Sequence, residues 1–161
     1  MEGIFVKKVF LLFSLCVLLT IQLTGCRTET SLSTGLSFEN SILAKKVDGS
    51  WSEVTDAKFA KGDTVGLVLL NVSGFKKGED GLNWMDIDVE LQDSNGTVVS
   101  IDKGLLGESG KMVLENNIAE SPVGSFYTST DIPSGKYNIK VTVYDRIGGG
   151  KVVCSKSFYI E

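Results

Sequence analysis

From residue 36 onward, apolar residues recur at every second position rather than every third or fourth, the spacing of a strand with one dry face and one wet face. The pattern is clearest at residues 85–91, where Met85, Ile87, Val89 and Leu91 share one parity and Asp86, Asp88 and Glu90 the other. This strand runs into Asn95-Gly96, a pair that accepts positive φ in a tight hairpin, and then into residues 97–101, which are expected to pair back antiparallel. After the Pro133-Ser-Gly turn, Tyr137, Ile139, Val141 and Val143 alternate with polar neighbours. A glycine-rich loop at 145–150 leads into residues 151–160, where Val152, Cys154, Phe158 and Ile160 share one parity. Lys156 breaks that parity and predicts a bulge or a strand edge where its amine reaches water. Cys154 reads as a small buried apolar residue.

Further strands are expected at residues 36–46, 64–72 and 124–130. With the two hairpins this gives about seven strands separated by Gly, Asp, Asn and Pro turns, the count of an antiparallel sandwich. Residues 64–72 are apolar on both parities, so they form either a central strand covered on both sides or a strand whose outer face meets a partner. Residues 104–123 scatter Leu105, Leu106, Met112 and Leu114 among glycines and asparagines. They fit a strand, a short helix or a long connection.

The chain before this pattern is different. Lys7 and Lys8 precede an uncharged run at 9–23 dominated by Leu, Val, Phe and Ile. The run is shorter than the roughly 20 residues of a spanning helix and fits a helical signal peptide. It ends in Leu23-Thr24-Gly25-Cys26, which resembles the lipobox of bacterial lipoproteins. That resemblance implies cleavage between Gly25 and Cys26, a diacylglyceryl thioether on the Cys26 sulfur, and firm anchoring, since each buried methylene adds about 0.8 kcal/mol. Cys16 offers no competing site, because Leu15 stands where a small residue is required. The residue after the acceptor is Arg27 rather than the aspartate associated in that family with inner-membrane retention, which favours the outer membrane in a cell that has two. The expected organisation is a signal peptide at 1–25, a lipidated cysteine and flexible tether at 26–35, and one sandwich domain at 36–161.

The sandwich itself resembles bacterial immunoglobulin-like domains, including the polycystic-kidney-type modules. The residues that carry this are Gly135-Lys-Tyr137-Asn-Ile139-Lys-Val141-Thr-Val143-Tyr-Asp145 and the closing Ser157-Phe158-Tyr-Ile160. The Asp-Gly-Trp centre of many such modules is not evident, and the likeness implies a fold rather than an activity.

Composition narrows the function. The net charge of −4 becomes more negative once the leader with Glu2, Lys7 and Lys8 is removed, which disfavours nucleic acid and anionic headgroups as partners. With Cys16 lost and Cys26 lipidated, Cys154 has no intrachain partner, so stability must come from packing. Histidine is absent, which removes the usual general base and zinc ligand, and no Ser-x-x-Lys spacing supplies a substitute. A histidine-free hydrolase is therefore the least favoured reading, and the expected class is not an enzyme.

Asp86, Asp88 and Glu90, about 6–7 Å apart along one strand face, could hold calcium in a carbohydrate-binding module, although the bland reading is a solvated outer face. Trp51, Phe75 and Trp84 fall in or beside turns, where an aromatic either caps the core or stacks on a sugar or protein partner. The expectation is a lipid-anchored envelope module that binds another protein or a glycan, with no cofactor beyond its covalent lipid and, in the alternative, calcium.

Overall fold

The computed structural model describes residues 29–161; the signal peptide, Gly25 and Cys26 lie outside the described residues. The domain is an all-β, antiparallel immunoglobulin-like sandwich. Its strands are β1 (Glu29–Thr34), β2 (Asn40–Val47), β3 (Ser50–Glu53), β4 (Lys58–Phe59), β5 (Thr64–Leu70), β6 (Val72–Ser73), β7 (Asn83–Asp93), β8 (Val98–Asp102), β9 (Lys111–Met112), β10 (Ile118–Ala119), β11 (Val123–Tyr127), β12 (Gly135–Asp145) and β13 (Lys151–Ile160). One sheet runs β1-β13-β12-β7-β8, with β4 and β9 attached to its strands; the facing sheet runs β11-β5-β2-β3. β6 and β10 form a small separate pair. The extra strands beyond the seven expected are short or lack alternation, and β4 pairs with β13 in parallel.

The alternating residues do what their period predicts. Ile87, Val89 and Leu91 of β7, Ile139, Val141 and Val143 of β12, and Val152, Cys154, Phe158 and Ile160 of β13 are all buried between the sheets. Phe158 packs edge-on against Phe59 and stacks on Tyr137. The Tyr137 hydroxyl donates back to the Pro133 carbonyl at 2.8 Å, pinning the start of β12 in the manner of the tyrosine corner of such sandwiches. Gly124 of β11 marks the closest approach of the layers: a Cβ there would lie 2.3 Å from Val141 Cγ2 and 2.7 Å from Val89 Cγ2. The Asn95-Gly96 turn forms as expected, with Gly96 at φ 81° and the Asp93 carboxylate accepting from the Asn95 and Thr97 N–H groups.

Three expectations need correction. Residues 29–34 are not a free spacer but the edge strand β1, paired with β13 from Glu29↔Lys156 to Thr34↔Lys151. All six are exposed, so no apolar alternation announces them. Lys156 sits in no bulge: β13 keeps unbroken register with β12 through it. Phe75 is 2% exposed and belongs to the core, which removes it from any partner surface. Of the three alternatives left open for residues 104–123, the long connection is the one that forms. It runs through two 3₁₀ turns, Gly107–Gly110 and Glu115–Asn117, and the short strands β9 and β10.

Candidate functional site

Strand parity puts Val65, Leu67 and Leu69 of β5 into the core and turns Gly66 and Val68 to the opposite face of the small sheet. Ala44 and Ile42 of β2 pair with Gly66 and Val68, and Ser125 and Val123 of β11 flank them on the other side. This apolar strip explains why residues 64–72 read as apolar on both parities. Trp51 lies against it. A Cβ on Gly66 would lie 2.5 Å from Trp51 Cζ3 and 3.0 Å from both ring atoms bonded to it, so the indole lies face-down on the glycine. Any larger residue at position 66 removes that seat.

The Trp51 backbone pairs with Lys46 on β2, whose ammonium lies 5.9 Å from the ring centroid. At the opposite edge of the sheet, Tyr127 pairs with Thr64 and is 58% exposed. Two aromatics thus bracket a face whose polar positions are Lys46, Glu53, Ser125 and Thr64. The three strand spacings between β3 and β11 put their backbones about 14 Å apart. The indole reaches inward from β3 to β5 and shortens the gap between the rings. Gly66→Ala is expected to lift the indole off the sheet, with a red-shifted tryptophan emission and a stability change within about 1 kcal/mol, because the clash is with the free end of a side chain. An unshifted spectrum in the Trp84→Phe background would show that the ring does not rest there.

A second constellation lies between the layers, in a cleft of about 230 Å³ lined by Glu29, Asn40, Ser41, Glu53 and Lys156 among others. The Ser41 hydroxyl donates to Glu29 Oε1 at 2.6 Å, and the Lys156 ammonium donates to the Ser41 carbonyl at 2.5 Å and lies 3.4 Å from Glu29 Oε2. Burial pulls the Glu29 carboxyl upward, but the Ser41 hydroxyl and Lys156 outweigh it and hold the acid below its ordinary value. Cys154, fully buried, has its thiol pushed up by that burial, and its sulfur lies 3.5 Å from Ser41 Oγ. Lys156 therefore interrupts the apolar parity because it completes a polar latch, not because the strand is irregular. This cluster is poorly built for nucleophilic chemistry: Ser41 is 2% exposed, its proton points at a weakened base, and the lysine is spent on a carbonyl.

The carboxylate row on β7 is paired rather than solvated. Asp86 is 4% exposed and accepts from the Arg146 guanidinium at 2.8 Å and from the Ile87 and Leu106 N–H groups. Asp88 accepts from the Tyr144 hydroxyl at 2.9 Å and the Gly104 N–H at 2.8 Å. Glu90 pairs with Lys140 at 2.6 Å. Among the described residues no group of three or more His, Cys, Asp or Glu side chains is placed to hold a metal ion.

Trp84 stands second in β7, beside the turn at residues 78–81. Its N–H donates to the Gly107 carbonyl at 2.9 Å, and the Lys111 ammonium sits 4.5 Å from its ring centroid, so it fastens the 107–111 segment onto the sheet. Of the three aromatics singled out in the sequence, Trp51 alone lies on the strip of the small sheet.

No family model matches the chain, and no curated protein matches it either. Among solved structures, the sandwich is similar to the C-terminal domain of wzt, with a TM-score of 0.51 and 9% identity over 83% of this chain and 78% of that one. It is also similar to a Niemann-Pick type C2 protein from the Japanese carpenter ant, with a TM-score of 0.53 and 9% identity over 81% of this chain and 96% of that one. At that identity the likeness is one of fold.

Tyr127 and the Glu29, Ser41 and Lys156 latch were not found by reading the sequence. Tyr127 carries the one available signal, an aromatic at the polar parity of its strand. The latch carries none, because its members stand far apart along the chain.

Proposed function

We propose that this chain is a cell-envelope lipoprotein, anchored through lipid on Cys26, whose sandwich is a non-enzymatic binding module for an envelope glycan. The observation that supports the reading is the indole of Trp51 laid flat on Gly66, beside an exposed Tyr127, on a sheet face edged by donors and acceptors. Sugar rings present an apolar face of C–H bonds ringed by hydroxyls, and a flat aromatic with flanking lysine, serine and carboxylate groups complements both. The outer membrane is the favoured location in a cell with two membranes. Calcium dependence has little support, since Asp86, Asp88 and Glu90 are each committed to protein partners.

The test is binding of the lipidated protein to isolated envelope polysaccharide. Trp51→Ala is expected to weaken binding at least about tenfold, the equivalent of ~1.4 kcal/mol lost with one stacked ring, while Trp84→Phe leaves it unchanged. Equal binding by Trp51→Ala and the parent would remove this face from consideration. In intact cells Cys26→Ser is expected to lose palmitate labelling, with the unlipidated precursor released or held at the inner membrane, and unaltered labelling would refute the anchor.

A further inference from the structure

We propose that the side of the sandwich bearing edge strands β1 and β3 docks against the lipid bilayer, so that the domain lies on the membrane instead of standing off it. This rests on the lipid anchor of the proposed function. The occupant follows from how few residues separate Cys26 from β1. Glu29 is already fixed in β1 opposite Lys156, and its carboxylate is latched to Ser41 and Lys156. Only Arg27 and Thr28 separate it from Cys26, and three residue steps reach at most about 11 Å. A lipid on Cys26 would therefore hold the start of β1 within about 11 Å of the headgroups.

The two sheets place their edges together on that side: β1 ends one, β3 ends the other, and Glu29 and Glu53 line the cleft between them. β1 buries none of its six residues in the protein, and its Leu32 is 63% exposed. Leu32 stands opposite Val153, on the parity turned away from buried Val152 and Cys154, so β1 offers the headgroup boundary one apolar side chain at the rim of its sheet's outer face. The far part of the sandwich has no comparable access. Trp84 stands in β7, three strand spacings or about 14 Å from β1, and a tether shorter than that keeps it away from the bilayer. Trp51 springs from β3 at that edge, with its indole laid inward over Gly66 of β5. The proposed glycan face therefore borders the membrane, where it meets material lying at the lipid surface.

The chain holds two tryptophans, one near each end of this gradient. The full lipidated protein is reconstituted in uncharged phosphatidylethanolamine–phosphatidylcholine vesicles carrying a sparse dansyl headgroup acceptor, with Trp84→Phe reporting Trp51 and Trp51→Phe reporting Trp84. Energy transfer from Trp51 is expected to exceed that from Trp84 at least about twofold. A Gly/Ser insertion of about twelve residues between Thr28 and Glu29, which adds a flexible span of about 20 Å, is expected to reduce both and to erase the difference. Equal transfer from the two tryptophans, or no effect of the insertion, in protein whose Cys26 lipid is verified by mass spectrometry, overturns the docking and leaves the anchor standing. Protein that carries no lipid on Cys26 overturns the anchor and the docking together.

Discussion

Phe158→Ala is expected to destabilise the domain by about 3–5 kcal/mol, the largest single-residue loss within the sandwich. The side chain is fully buried, and it contacts Phe59 edge-on at 5.5 Å and Tyr137 face-on at 6.0 Å between centroids. Phe59 enters from the short parallel strand β4, and Tyr137 is tied to Pro133, so neither neighbour is free to collapse into the space. Such a cavity costs both the lost transfer energy and the unfilled volume. Against a total stability of roughly 5–15 kcal/mol for a domain of this kind, the loss leaves a substantial unfolded fraction. Urea unfolding of the soluble domain measures it directly. A loss below about 1.5 kcal/mol, the range of conservative core swaps, would mean that the ring cluster is not the keystone of this end of the core.

Replacing Asp86 should rank next. Its carboxylate is nearly buried and receives Arg146 and two backbone N–H groups, one from Ile87 and one from Leu106. Asp86→Ala leaves those donors without a partner and frees the start of the 104–123 segment, at a cost of about 2–4 kcal/mol. Asp86→Asn keeps one acceptor oxygen but not the charge, and is expected to cost less.

The pair also sets an acid limb. Burial raises the Asp86 carboxyl, but Arg146 and the backbone donors more than reverse this and hold it below its ordinary value. Glu90 is held down in the same sense by Lys140 and Gln92 against its own burial, and Glu29 by Ser41 and Lys156. For a group whose folded value is depressed, the stabilisation is complete above the unfolded value. It is lost as the pH falls from the ordinary carboxylate range of about 4 through the folded value. The wild-type domain should therefore lose stability progressively below about pH 4, and the Asp86→Asn protein should lose less over the same interval. Parallel acid limbs in the two proteins would show that Asp86 does not contribute to this titration.

Part of the candidate site was legible in the sequence, and the rest was hidden for a definite reason. Trp51 was visible as an aromatic beside a turn, and the double apolar parity of residues 64–72 showed that one face of that strand needed cover. That the first lies against the second was not visible, because it depends on β3 folding back beside β2 and on a glycine at the one position beneath the ring. Phe75 and Trp84 looked equivalent to Trp51 in composition and context. One is sealed in the core and the other is bound to Gly107 and Lys111, outcomes fixed by residues far away along the chain. The carboxylates of β7 were placed correctly on the outer parity. Their partners, Arg146, Tyr144 and Lys140, stand on β12 and just beyond it, and the loop that buries Asp86 had no readable period.

By itself the sequence determined the class of fold, the alternating strands β7, β12 and β13, and the Asn95-Gly96 hairpin, because side-chain alternation and turn chemistry act between near neighbours. Tertiary structure alone decided that residues 29–34 become an edge strand, that Lys156 latches Glu29 and the Ser41 carbonyl, and that Trp51 lies on Gly66. Each of these depends on which strands meet and on what space is left between their side chains, and that is set by the packing of the two layers as a whole.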